Sequence, residues 1–343
     1  MKKGFQVTLD DIARKLKVSK VTVSKALRGH PDISTERVKK IQALAQELGY
    51  LPNYMARNLS SKHTHMIGVV VPKIAHYFFS SVIESMYDTA FHQNYEIILT
   101  VSQENSEREL RHLQTLLSMR VDGIIISVTQ QTKDYAIFKR VKDMGIPLTF
   151  MDRIIDMKGF NAVIADDYGG AFAATEQAIH VGYSKIAHLA GFSHTYIGRE
   201  RYRGFEMAMK KHEIAIKPEW VVRGGFSEID GYNGFMQLFK SEDRPEFIFA
   251  STFPVALGIY HAAEEMGVKI PDDVDIISFG SSGLNQFLSP PMSYIEQPTI
   301  ELGVKAVELT LHSIQQKDEF VPQTIKLPTR LVLCKTCVQG ITN

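Results

Sequence analysis

The 343-residue sequence predicts a chain of α/β class in two parts: a basic, all-α head, then a core of two doubly wound parallel sheets. Three observations lead there. Charge is segregated: residues 1–62 hold 13 Lys and Arg against 5 Asp and Glu, a net +8, whereas the rest holds 26 against 33, a net −7. Apolar residues recur at helical spacing over residues 8–49. From residue 66 onward, short, nearly continuous apolar runs alternate with segments of helical length, the pattern of parallel strands covered on both faces.

In the head, Thr8 precedes Leu9-Asp10-Asp11-Ile12-Ala13, a capping hydroxyl followed by acids in a first helical turn. Leu9, Ile12, Ala13 and Leu16 form its apolar face, and Lys17-Val18 ends it. Ser19 caps a second, short and basic helix whose core-facing set is drawn from Val21, Val23, Ala26 and Leu27, before Gly29-His30-Pro31 stops it. A third helix follows Ser34, buries Val38, Ile41, Leu44, Ala45 and Leu48, and closes at Gly49. Two helices joined by a short turn and braced by a third form a helix-turn-helix, whose second helix fits the DNA major groove. Lys20, Val21 and Lys25 are the candidates for base edges: lysine donates to guanine acceptors and valine touches a thymine methyl. Thr8, Ser19, Thr22, Ser24, Arg28 and Ser34 are candidates for phosphates, which fix register without reading sequence. A basic solvated face accounts for the charge alone, and a three-helix bundle with a protein partner for the helices alone; spacing and charge together favour DNA.

In the core, strands are expected at 67–71, 96–101, 123–127, 147–150, 185–190, 246–250, 275–279 and 329–333. The series is too long for one compact sheet and breaks at 153–165, so two lobes are expected. The longest apolar runs fall far short of the roughly 18 residues of a membrane helix. The N-terminus has no apolar signal segment, and Cys334 and Cys337, the only cysteines, offer no disulfide framework; a cytoplasmic address is expected. No phosphate loop, dinucleotide fingerprint, HExxH or nucleophile elbow occurs, and a single CxxC does not complete a zinc site, so neither enzyme chemistry nor a cofactor nor a metal is expected.

The ordered set Thr8-Leu-Asp-Asp-Ile-Ala, Val18-Ser19, Thr22-Val-Ser-Lys25, Leu48-Gly-Tyr-Leu-Pro-Asn53, Ala56-Arg57 and Leu59 closely resembles the head and hinge of the lac repressor and purine repressor family, and the similarity covers nearly the whole chain. The resemblance implies a homodimeric transcription regulator, most often a repressor, binding palindromic operator DNA, with a periplasmic-binding-protein-like core whose cleft holds a small-molecule effector such as a sugar. It implies a head at 1–51, a hinge helix and linker at 52–64 and a core at 65–343. Lobe 1 is expected at about 65–164 plus 294–320, lobe 2 at about 165–290 plus 321–335. The hinge segment places Asn53, Tyr54, Ala56 and Arg57 in or beside the minor groove and Leu59 as a wedge that unstacks a base step and bends the duplex.

The cleft candidates come from strand ends and from the resemblance. Phe78 and Phe79 follow the first strand and present an aromatic face, with core packing an equal alternative. Asp152, Arg201 and Phe226 match a cleft acid, a hydroxyl- or carboxylate-holding arginine and a ligand-packing aromatic of the family; Arg201 is preferred over Arg199 and Arg203 by its spacing to Gly204-Phe205. Asp166 and Asp167 begin the second lobe and read as helix caps before ligands. Two departures stand out. Ser251-Thr252 replaces a common Asn-Asp, and Phe279-Gly280-Ser281-Ser282 replaces a Tyr-Asp that chelates sugar hydroxyls, so a charged bidentate acceptor is missing at Gly280. The serines then serve a neutral sugar, or Arg201 faces an anion with fewer acids opposing it, or the cleft no longer senses a metabolite and the core answers to a protein partner. A small-molecule binding protein without regulatory function is the remaining alternative. The short tail lacks an apolar heptad, which predicts a dimer and not a tetramer.

Overall fold

The computed structural model describes residues 7–51, 63–316 and 321–338. Two compact units, 1–64 and 65–343, make up the chain. In the first, α1 (Leu9–Leu16), α2 (Lys20–Leu27) and α3 (Thr35–Glu47) form a three-helix cluster. Thr8 opens α1 by a reciprocal capping box: its hydroxyl accepts from Asp11 N–H at 3.3 Å while the Asp11 carboxylate accepts from Thr8 N–H at 2.9 Å. Ser19 caps α2, accepting from Thr22 N–H at 3.1 Å. Gly49, left-handed at φ 65°, lets Tyr50 N–H reach back to the Ala45 carbonyl at 2.8 Å and ends α3. Ile12, Val23, Ala26 and Ile41 are fully buried where the helices meet. Val21 does not join them: it is 64% exposed.

The second unit holds two six-stranded sheets. The first consists of β1 (Met66–Val71), β2 (Glu96–Val101), β3 (Gly123–Ile126), β4 (Leu148–Met151), β5 (Asn161–Ala165) and β11 (Thr324–Leu327). Their spatial order is β11-β5-β4-β3-β1-β2, and every pair is parallel. It is covered by α4 (Tyr77–His92) and α11 (Thr299–Gln315) on one face and by α5 (Ser106–Ser118) and α6 (Ala136–Asp143) on the other. Strand alternation sorts the apolar residues between these layers: Val69 and Val71 pack under α4 and α11, Val70 under α5 and α6. That double burial is why the strands read as unbroken apolar runs.

The second sheet holds β6 (Ile186–Ala190), β7 (Val221–Arg223), β8 (Phe247–Ala250), β9 (Asp275–Phe279), β10 (Ser293–Glu296) and β12 (Arg330–Val332) in the order β12-β10-β9-β8-β6-β7, with only β12 antiparallel. On one face lie α7 (Asp167–Val181) and α8 (Tyr196–Lys211), on the other α9 (Glu228–Phe239) and α10 (Phe253–Met266). No helix among the described residues is long and apolar enough to cross a membrane.

The chain passes between the sheets three times, after β5, after β10 and after β11. This corrects the lobe boundaries expected from the sequence. Residues 293–296 pair with β9 and so belong to the second lobe, while 324–327 pair with β5 and belong to the first. Both strands are short and half-exposed at or near sheet edges, so neither forms an apolar run. The supposed break at 153–165 also conceals β5, every residue of which is buried. Its polar first residue is satisfied internally: Asn161 donates to Ser313 Oγ at 2.8 Å and accepts from Gln323 N–H at 3.2 Å.

The glycines Gly231 and Gly258 bring α9 and α10 together backbone to backbone. A Cβ at Gly231 would strike the Val255 carbonyl, and one at Gly258 the Glu228 carbonyl. Gly258→Ala is therefore expected to lower the unfolding free energy by roughly 1–3 kcal/mol, the usual cost of overpacking, in urea unfolding followed by circular dichroism. A variant as stable as the parent would show that the two helices have room to part.

Candidate functional site

Two regions concentrate the residues singled out in the sequence. On the head, α2 leaves Lys20, Val21 and Lys25 accessible along one short helix. Each lysine is tied to an acid of the same unit: Lys20 Nζ lies 2.8 Å from Asp10 Oδ2, and Lys25 Nζ lies 2.9 Å from Asp32 Oδ2. The Lys25 hydrogen bond, with the charges of Lys25 and His30, holds the Asp32 carboxyl below the usual carboxylate range. Such exposed pairs are weak and salt-screened. Among the hydroxyl candidates, Thr8 and Ser19 are engaged as caps, Thr22 Oγ1 lies 2.8 Å from Ser19 Oγ, and Ser34 makes no side-chain cap bond. Arg28 Nε donates to the Ser24 carbonyl at 3.1 Å. The hinge candidates Asn53, Tyr54, Ala56, Arg57 and Leu59 lie outside the described residues.

The second region is a cavity of about 760 Å³ lined from both lobes. Phe78, Phe79, Asp152, Arg201, Phe226, Thr252, Gly280 and Ser281 all line it. They come together because parallel strands end at one edge: β1 leads to Phe78 and Phe79, β4 to Asp152, β8 to Thr252 and β9 to Gly280. Ser251 is the exception. It is fully buried and does not line the cavity; closing β8, it contributes its carbonyl, and its hydroxyl has no hydrogen-bond partner among the described residues. Thr252 lines the wall, but its hydroxyl caps α10 and donates to the Phe226 carbonyl at 3.1 Å.

Arg201 is 2% exposed and fixed on three sides. Its Nε donates to Asp167 Oδ1 at 2.8 Å, its Nη2 lies 2.8 Å from the same oxygen, and its Nη1 donates to the Ser251 carbonyl at 2.6 Å. The guanidinium carbon sits 3.7 Å from the Phe279 ring centroid. A second hydrogen on each terminal nitrogen remains available to a ligand. Arg199 and Arg203, by contrast, are largely exposed and pair with Asp156 and Glu200. Asp167 is thus an ion-pair partner and not a cap; the α7 cap is Asp166, which accepts from Gly169 N–H at 3.1 Å. Burial pushes the Asp167 carboxyl up, while the Arg201 guanidinium 2.8 Å away pulls it back toward the ionised form. Asp167 thus opposes Arg201 directly, although Gly280 offers no acid.

Of the wall residues that escaped the sequence reading, Arg153, Phe279 and Gln297 bear most on the chemistry of the site. Arg153 is buried, donates from Nη1 to Glu104 Oε1 at 2.7 Å, and holds its guanidinium 5.3 Å from the ring of Phe226 on the other lobe. Its Nε, 4.0 Å from Asp152 Oδ2, is buried and has no hydrogen-bond partner among the described residues. Asp152 itself is buried at φ 63°, and burial raises its carboxyl while Arg153 and Arg201 pull it down. Phe279 supplies the aromatic floor. Gln297 lies at the second crossing between lobes, beside Gly280: Gly280 is left-handed at φ 79°, and a Cβ there would lie 2.8 Å from Gln297 Oε1. The Gln297 amide thus occupies the space that a side chain at Gly280 would enter. Only the adjacency of Arg153 to Asp152 offered a sequence signal for any of these.

Comparison with known proteins matches residues 8–53 to the model of bacterial regulatory proteins of the lacI family. Residues 64–335 match the model of periplasmic binding proteins and the sugar binding domain of the LacI family. The chain is similar to catabolite control protein A of Priestia megaterium, 29% identical over 95% of this chain and 98% of that one. It is 30% identical to the HTH-type transcriptional repressor PurR of Haemophilus influenzae (strain PittEE), over 96% of this chain and 98% of the relative. Among solved structures, the lac repressor dimer bound to operator and the anti-inducer ONPF aligns with a TM-score of 0.86 at 24% identity, covering 97% of this chain and 100% of that one.

The geometry at Gly280 makes a direct prediction. Gly280→Asp is expected to destabilise the protein by roughly 1–3 kcal/mol, since a left-handed non-glycine residue is strained and its side chain must displace Gln297. Thermal unfolding measures this, and an unchanged midpoint would show that the position tolerates the acid.

Proposed function

Because the chain belongs to the LacI family of bacterial regulatory proteins, we propose that this DNA-binding transcriptional repressor works as a homodimer on a palindromic operator and is set by a neutral, polyhydroxylated effector of the sugar class held in the core cleft. The chain is a transcription regulator and not an enzyme, like the PurR and catabolite control relatives. The observation that carries the effector class is the pairing of Arg201 with Asp167 on the Phe279 face. A guanidinium already neutralised by a buried carboxylate has no free charge for an anion, yet it keeps hydrogens aimed at hydroxyl oxygens. Arg153 Nε adds an unsatisfied donor, Asp152 an acceptor, and Phe78 and Phe226 apolar faces for a ring. A few convergent polar groups in an otherwise apolar cleft is the composition of a small-molecule site.

The coupling follows from the two-lobed build. A ligand that touches Asp152 and Arg153 on one lobe and Arg201 and Phe226 on the other favours one mutual arrangement of the lobes. In the proposed dimer that arrangement sets the spacing of the paired hinge segments, so effector and operator affinities change reciprocally. Dimer formation is supported by apolar residues exposed on the core: Tyr77, Tyr87 and Phe91 along α4, Ile300 at the start of α11, and Leu284 and Phe287 in the second lobe. Large apolar side chains left exposed one turn apart on a helix, as Tyr87 and Phe91 are on α4, are the material of an interaction face. Lys20, Val21 and Lys25 read base edges, and Leu59 wedges a base step.

Operator affinity measured by fluorescence anisotropy is expected to shift in the presence of the cognate neutral sugar for the parent, and not for Arg201→Ala. A shift that survives Arg201→Ala would remove the cleft assignment. Lys25→Ala is expected to weaken operator binding by roughly tenfold or more and random-sequence DNA far less; equal losses on both would reduce Lys25 to a phosphate contact. In sedimentation equilibrium at micromolar concentration the parent is expected as a dimer and Phe91→Glu as a monomer, whereas a dimeric variant would place the interface elsewhere.

A further inference from the structure

Outside the cleft and the head, three metal-ligating side chains converge on the surface of the second lobe. Glu176 and His180 stand four residues apart on α7, hence on one face and one turn apart. His212 caps the C-terminus of α8, which packs along α7. One donor atom from each of the three lies within 4.8 Å of the other two. His212 Nε2 is 3.0 Å from Glu176 Oε1, and the two imidazoles meet edge to face with centroids 5.6 Å apart.

We propose that Glu176, His180 and His212 form a site for a divalent transition metal of the zinc class, two imidazole nitrogens and one carboxylate oxygen with the remaining position taken by water. The donor chemistry fits: zinc takes imidazole and carboxylate ligands at about 2.0–2.2 Å, and three protein ligands plus water complete its tetrahedron. The donors need only side-chain rotation to close onto an ion, because His180 is exposed and the other two are half-buried. Lys211 is the internal competitor: its Nζ lies 2.6 Å from Glu176 Oε1, so metal entry requires this ammonium to swing away. An exposed lysine on a flexible stem does so at little cost.

The site has a structural consequence. Asp167 and Arg201 tie α7 to α8 near the cleft; Glu176 and His212 tie the same two helices about 14 Å farther along their axes, nine residues at 1.5 Å rise. Between these two ties, Gly204 lets α8 approach the main chain of Tyr168 and Phe172. A bound metal therefore clamps the far end of the helix pair that carries the cleft arginine.

The test uses the full-length, tag-free protein, stripped with a chelator and titrated with zinc chloride by calorimetry and thermal unfolding. One zinc per chain is expected, with a rise in Tm of roughly 5 °C at hundredfold saturation. His180→Gln and His212→Gln, each compared with its own metal-free Tm, are expected to abolish the rise, while His92→Gln on α4 retains it. Lys211→Ala is expected to bind zinc several-fold more tightly, an effect that non-specific histidine binding does not produce. Absent or non-saturable binding, binding that survives either histidine substitution, or weaker binding in Lys211→Ala overturns the proposal.

Discussion

The core is organised around one buried ion pair. Arg201 and Asp167 are each almost wholly removed from water, and each stays folded in only because the other is present. Losing one partner of such a pair typically costs 3–5 kcal/mol, since an uncompensated buried charge remains. The pair also locks three elements together, because Arg201 sits on α8, Asp167 starts α7 at the first crossing between lobes, and the Ser251 carbonyl ends β8. Phe279, at the end of β9, packs on the guanidinium face. The position of the Arg201 guanidinium at the cleft wall is thus fixed by the fold, the preorganisation that the proposed recognition requires.

The parallel sheets explain why the remaining groups gather there. Every strand that feeds the cleft runs the same way in its sheet, so its C-terminal loop reaches the same edge. Two sheets facing each other across such edges make a cleft with polar contributions from both lobes. The chain crosses three times, and the second crossing delivers Gln297 to the wall beside Gly280. The lobes also meet at the rim, where His194 Nε2 lies 2.7 Å from the Gln130 carbonyl and Arg199 lies 3.4 Å from Asp156. These peripheral contacts are exposed and easily exchanged, which suits surfaces that shift on ligand binding.

Local signals made the head legible in the sequence. Thr8, Ser19 and Gly49 act on their own helices, and apolar spacing alone separates Ile12, Val23 and Ile41 from solvent. The long central strands were equally plain, since burial on both faces leaves few polar positions, Thr149, His188 and Ser278 among them. β10 and β11 were not, because short strands interrupted by polar or partly exposed positions carry no such run, and β5 was hidden behind its polar start at Asn161. In the cleft, Arg201 could be chosen by its spacing to Gly204-Phe205. Its partner could not: two acids at a helix start, Asp166 and Asp167, look alike in sequence, and only the three-dimensional approach of α8 assigns one as cap and the other as counter-ion. Gln297 and Arg153 are set by crossings and cross-lobe contacts that no local pattern encodes.

The central claim is that the cleft presents a charge-compensated arginine and therefore selects a neutral polyhydroxyl ligand. The most direct measurement is the melting temperature of the full-length protein across matched series of neutral pentoses and hexoses, their phosphates and their acids, because a ligand of the native state raises Tm by mass action. The account predicts a concentration-dependent rise with a member of the neutral series and none with its charged counterparts. A rise confined to the phosphates or acids would contradict it, because Arg201 would then be acting as a free cation.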